Sequence, residues 1–149
     1  MISPAPHNGT TLVLRRTFTA SRQRVFRAWI EPKAVERWFR PRGMSVTVHS
    51  LDAREGGSFR FEIENGISIV GTYLTIVPPE KLVFTWSAEH PKGRDTIISL
   101  DFHDQGAMTE IVLTHEGLSD PEMRALVAGG WPSVLNALAE LLSSSQIDF

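Results

Sequence analysis

Ser119-Asp120-Pro121-Glu122, followed by Met123, Leu126, Val127, Trp131, Val134, Leu135, Leu138, Leu141 and Leu142 at helical spacing, is the stretch that decides the fold. Ser119 offers an N-cap hydroxyl, Pro121 suits a first helical turn, and Glu122 lies three residues on, the pattern of a capping box. The apolar stripe that follows is wide enough to cover a sheet, and no other segment supplies a long apolar face. Pro132 interrupts it. A proline there removes the amide that would bond the Ala128 carbonyl, at an intrinsic cost of about 3 kcal/mol, which predicts a kink or break around Gly129-Gly130.

What this helix covers is read upstream. From Met44 to Glu116 the hydrophobic period is two, in six segments: Ser45 to Leu51, Ser58 to Ile63, Ile67 to Val77, Leu82 to Ala88, Asp95 to Phe102 and Met108 to His115. Turn residues separate them, at Glu55-Gly56-Gly57, Asn65-Gly66, Pro78-Pro79, Pro91-Lys92-Gly93 and Asp104-Gln105-Gly106. Such short connections make neighbouring strands antiparallel, because a parallel crossover needs a dozen or more residues. Alternation places Phe59, Phe61 and Ile63, then Leu82, Phe84 and Trp86, then Ile98, Leu100 and Phe102 on one face, which must be buried.

Before the meander, Thr11 to Phe18 reads as a first strand, and Ser21 opens a helix carrying Val25, Phe26 and Trp29. Glu31-Pro32 ends it and begins a second short helix with Val35, Trp38 and Phe39, which Pro41 and Gly43 break. The expected fold class is therefore α+β: a helix-grip fold, with a seven-stranded curved antiparallel sheet, two short helices and a long kinked C-terminal helix enclosing an apolar cavity. Residues 1–10 are expected to form a flexible tail and 11–145 a single domain.

Composition narrows the function. The chain has 149 residues, 42% of them hydrophobic, enough for one real core. With 15 basic against 17 acidic residues and no basic run, nucleic acid is not an expected partner. The absence of cysteine excludes disulfides, thiolate metal sites and a Cys nucleophile, and suits a reducing compartment. Neither a signal peptide nor a run of about 20 apolar residues is read, so a cytoplasmic location without membrane insertion is expected. Asn8-Gly9-Thr10 matches a glycosylation acceptor but has no secretion signal to serve it. The five histidines lack zinc-ligand spacing, Glu55-Gly56-Gly57 lacks the Lys of a phosphate loop, and no Gly-x-Ser-x-Gly elbow occurs; no metal and no cofactor are expected.

The order strand, two short helices, six-strand meander, long helix resembles that of the START-like, birch-pollen-allergen-like superfamily. Several stretches resemble one branch of it: Arg15-Arg16-Thr17-Phe18, Val25-Phe26-Arg27-Ala28-Trp29, Arg37-Trp38-Phe39-Arg40-Pro41, Glu55-Gly56-Gly57-Ser58-Phe59-Arg60-Phe61, Gly71-Thr72-Tyr73, Val77-Pro78-Pro79-Glu80-Lys81-Leu82-Val83-Phe84-Thr85-Trp86, Leu113-Thr114-His115-Glu116-Gly117 and Gly130-Trp131-Pro132-Ser133-Val134-Leu135. These are similar to the heat-shock protein 90 ATPase activator-like family, over nearly the whole chain. The resemblance implies a pocket between sheet and helix that binds or sequesters hydrophobic molecules, lipid or polyketide among them. It also implies two alternatives, a polyketide cyclase or hydratase and a co-chaperone. A second domain that accompanies the co-chaperones is missing from this sequence, which counts against a chaperone partner. A homodimer is compatible with the sequence, though no interface is read from it.

The candidate ligand-binding residues are Trp38, Phe59, Phe61, Tyr73, Phe84, Trp86, His115, Trp131 and Leu135. Phe59, Phe61, Phe84 and Trp86 would form an aromatic wall, with Trp131 opposite and Trp38 near the mouth; such a wall is either a ligand cage or a filled core. Trp29 is expected to pack the first helix on the sheet. Tyr73 and His115 share the parity of the inward positions and would bring a hydroxyl and an imidazole to the pocket, serving as structural hydrogen bonds, ligand contacts or, in a cyclase, the proton-moving group. No catalytic residue is assigned. Arg22, Arg24, Arg27, Arg37, Arg40 and Arg42 gather around the short helices as a solvated face or the rim of an entrance.

Overall fold

The computed structural model describes residues 11–88 and 95–143. The expected tail, the turn at Pro91-Lys92-Gly93, the acceptor Asn8 and the last two residues of the expected domain, 144–145, lie outside the described residues. Strands β1 (Leu12–Phe18), β2 (Val46–Leu51), β3 (Ser58–Ile63), β4 (Ser68–Val77), β5 (Lys81–Ala88), β6 (Thr96–Gln105) and β7 (Met108–Glu116) accompany helices α1 (Arg22–Ile30), α2 (Pro32–Trp38) and α3 (Pro121–Ser143). All seven strands join one antiparallel sheet in the order β1-β7-β6-β5-β4-β3-β2, so β2 to β7 run as a meander and β1 closes on β7.

The expected α+β helix-grip arrangement is therefore present, and the alternation read from sequence holds for Phe59, Phe61, Ile63, Leu82, Phe84, Ile98, Leu100 and Phe102, all buried; it slips at the end of β5, where Trp86 is half-buried and Ser87 is buried. One turn is shorter than expected. Asp104 and Gln105 remain in β6, paired with Thr109 and Met108, and the connection is only Gly106-Ala107, with Gly106 at a φ of 80°. Gly71 is required for a different reason. It pairs with Phe59, whose ring lies where a Gly71 Cβ would be, against the Thr85 carbonyl.

Helix α3 corrects two expectations. Its cap is Asp120, whose Oδ1 accepts the Glu122 amide at 3.0 Å, with Pro121 at the first helical position. Of the kink or break expected around Gly129-Gly130, a break does not occur: the helix is continuous through Pro132. Ala128 and Pro132 are both exposed, so the carbonyl deprived of its amide partner faces water. By length and mean hydropathy (1.3), α3 also matches a membrane-spanning helix, contrary to the expectation of no such run. From Trp131 onward, however, its apolar side is packed into the core, with Trp131, Val134, Leu135, Leu138, Leu141 and Leu142 buried, so this half of α3 serves as a core helix.

The two halves of α3 are held differently. Near its C-terminus, Arg24 donates to the Leu142 carbonyl at 2.6 Å and Arg16 to Asn136 Oδ1 at 2.5 Å. In the N-terminal half no residue before Trp131 is fully buried, Leu126 is 58% exposed, and Gly129 and Gly130 have open space where side chains would be. The short helices close the other flank. Ser21 caps α1, accepting the Arg24 amide, and Glu36 of α2 accepts the Val48 amide of β2 at 2.7 Å.

Candidate functional site

The interior between sheet, α1, α2 and α3 is almost wholly aromatic. Trp131 lies 5.7 Å from Trp86 and 6.2 Å from Trp29, ring centre to ring centre, and Trp29 lies 4.6 Å from Trp38. Phe59 is 4.8 Å from Phe61, 5.5 Å from Tyr73 and 5.7 Å from Phe84. Tilted and edge-on geometries dominate, as ring quadrupoles prefer. At the centre is a cavity of about 20 Å³, room for one water-sized group. In this state the aromatic wall is a nearly filled core, so the enclosed cavity expected from sequence is present only as a remnant.

Of the nine sequence candidates, Trp38, Phe59, Phe61, Tyr73, Phe84, Trp86 and Trp131 line this cavity. Trp38 does so from within: it is 2% exposed, with its indole N–H donated to the Ala28 carbonyl at 2.8 Å, and it does not stand at a mouth. Leu135 is buried in the core but does not reach the lining. Three lining residues were not among the candidates, Trp29, Val35 and Phe39. The signal for them was the helical spacing of α1 and α2, which marks a buried face without telling which part of the interior it meets.

His115 also stands back from the cavity, and its geometry is specific. Trp131 Nε1–H donates to His115 Nδ1 at 3.1 Å, so Nδ1 carries no proton and the hydrogen of the neutral ring sits on Nε2. Nε2 lies 2.7 Å from Thr96 Oγ1, and that hydroxyl donates onward to the Trp86 carbonyl, also at 2.7 Å. Every group in the chain has one direction: indole to imidazole, imidazole to hydroxyl, hydroxyl to carbonyl. Burial lowers the imidazole pKa to about 4, because the cation would be desolvated with no anion beside it. His115 is thus a structural connector from α3 through β7 and β6 to β5.

Tyr73 differs in having a raised pKa, first through burial and then through the nearby Asp52 charge, so it stays a neutral phenol. Three of the six arginines near the short helices are seen engaged: Arg24 on the distant Leu142 carbonyl, Arg27 beside Glu31 at 3.9 Å and Arg40 on the Gly43 carbonyl at 3.4 Å. A larger open groove between β1 and α3 is bridged by Arg16 and Asn136 and is polar. Among the described residues, no three His, Asp or Glu side chains converge as a metal site would require.

A seven-stranded antiparallel sheet gripped by one long helix over an apolar interior defines a START-like helix-grip domain. The chain belongs to the family described as activator of Hsp90 ATPase homolog 1-like protein, whose model matches residues 19–143. Protein CV1439 from Chromobacterium violaceum is 28% identical, with a TM-score of 0.84 over 91% of this chain and 99% of that one. A protein from Rhodobacter sphaeroides is 21% identical, TM-score 0.81, over 95% and 97% of the two chains, and shares the fold. CalU16 from Micromonospora echinospora is 26% identical, TM-score 0.69, over 89% and 76%. No curated protein matches the chain. Fold and family support ligand binding or cyclase-type activity in general.

Proposed function

We propose that this protein binds or sequesters a flat hydrophobic small molecule between the sheet and Trp131. The observation that carries this reading is the lining itself: ten side chains, nine of them aromatic, and none charged. Stability alone has no need of so many rings, since aliphatic residues fill a core as well. Ligand would enter by displacing Trp131. That residue follows two glycines with open space beside them, on the loosely held half of α3, and a single hydrogen bond ties its indole to the sheet.

A cyclase-type reading draws its support from Tyr73, the lining residue with a hydroxyl. His115 suits it less, being committed to Trp131 and Thr96 behind the lining. The binding reading is tested by titrating polycyclic compounds against the purified protein while following tryptophan fluorescence and melting temperature. Saturable quenching with a raised melting temperature is expected, since a ligand of the native state must stabilise it. Neither signal moving with any compound would make the lining a core and nothing more.

A further inference from the structure

Two hydrogen-bond donors on side chains that line the cavity have no protein acceptor among the described residues, and one of them is fully buried. Trp29, 6% exposed, has an indole nitrogen buried without any partner. Tyr73, 3% exposed, makes ring contacts with Phe59 and Phe84, and its hydroxyl has no hydrogen bond among the described residues. The neighbouring indoles differ: Trp38 bonds Ala28 and Trp131 bonds His115. The Trp38 ring, 4.6 Å from Trp29, offers at most a π face, a weak substitute for an oxygen. Native interiors leave few polar groups unpaired, and each such group calls for an explanation. The buried orphan is the Trp29 N–H; the Tyr73 hydroxyl is not fully buried, and both side chains line one cavity whose lining holds no charged side chain.

Resting on the ligand-binding reading above, we infer that the ligand is a neutral, flat, apolar molecule bearing a carbonyl-type acceptor oxygen, which takes the Trp29 N–H, the Tyr73 O–H or both. An indole N–H only donates, so a hydrocarbon leaves it unsatisfied while a ketone or quinone completes it. A carboxylate is rejected, since its charge would be buried with no cation to meet it. The phenol of Tyr73, kept protonated, is a donor at any ordinary pH.

Matched pairs at two ring sizes test this: fluorene against 9-fluorenone, and anthracene against anthraquinone, with fluorene-9-carboxylate as the charged member. Dissociation constants by calorimetry are expected to favour the carbonyl compound about tenfold over its hydrocarbon, with no binding of the carboxylate. Trp29→Phe and Tyr73→Phe together should bring that ratio near one, whatever their effect on fluorene binding itself. If circular dichroism shows Trp29→Phe unfolded, Tyr73→Phe, which removes a single oxygen, must reduce the ratio by itself. Equal binding of ketone and hydrocarbon to the native protein, or a ratio that survives the substitutions, overturns the acceptor proposal and leaves the pocket standing. Failure of every compound to bind overturns both.

Discussion

The Trp131 indole donates to His115 Nδ1 at 3.1 Å, and this bond exists only while the imidazole is neutral. A protonated ring has no lone pair on either nitrogen, so the grip helix is fastened to β7 by a contact sensitive to one proton. The same contact closes the aromatic interior at its α3 side.

Stability should therefore fall with acid. The folded pKa of His115, about 4, is below the unfolded value of about 6.5, so the unfolded state binds the proton more readily. The full stability is present above pH 6.5, and it is lost as the pH falls from there to about 4. By linkage the loss is about 1 kcal/mol at pH 5.5 and about 3 kcal/mol in all. Urea titrations at pH 7.5, 5.5 and 4.5 should show this slope, and His115→Gln should flatten it; an unchanged slope would remove His115 from the account.

Trp131→Phe keeps a ring in place but deletes the donor together with part of the indole's buried volume. The orphaned Nδ1 should cost about 1–3 kcal/mol, and the His115 pKa should rise because its neutral form has lost a hydrogen bond. Imidazole nitrogen NMR shifts can check both points, reporting the Nε2–H tautomer in the native protein and the titration midpoint in the variant.

Gly71→Ala should be severe for its size. The added methyl enters space held by the Phe59 ring and the Thr85 carbonyl, and a backbone oxygen in a paired strand cannot swing away. A loss of about 3 kcal/mol is expected, at the upper end for overpacking. A denaturant midpoint within experimental error of the native one would show that the sheet yields more easily than its pairing suggests.

Pro132→Ala should move stability the other way, by about 1–3 kcal/mol, since it restores an amide to the Ala128 carbonyl in a helix already continuous there. Melting temperature measures it. A loss of stability would mean that the proline sets a helix bend on which the packing of Trp131 depends.

Most of the fold was legible because period-two alternation and turn chemistry act locally. Phe59 to Ile63 and Ile98 to Phe102 face inward as their spacing demands. The errors arose where two local signals compete. Ser119 and Asp120 are both good caps, and only the backbone at Pro121 selects Asp120. Pro132 signals a break, but whether the freed carbonyl meets water depends on which face of α3 is outside. Of the site, the aromatic strand residues were readable by parity. Trp29 and Phe39 were not, because converging on the cavity from short helices is a property of tertiary packing. His115 was placed inward correctly, yet its partners Thr96 and Trp131 come from separate elements that no spacing rule connects.

The Glu36 contact with the Val48 amide bears on how the molecule meets others of its kind. β2 is a terminal strand of an open sheet, and such a strand ordinarily offers unpaired donors as a template for a foreign chain. Here α2 lays a carboxylate over that margin and occupies a donor that an incoming strand would need. A chain arriving to extend the ladder meets negative charge in place of a free amide. The helix that helps seal the interior thus also guards this side of the sheet against edge-to-edge aggregation.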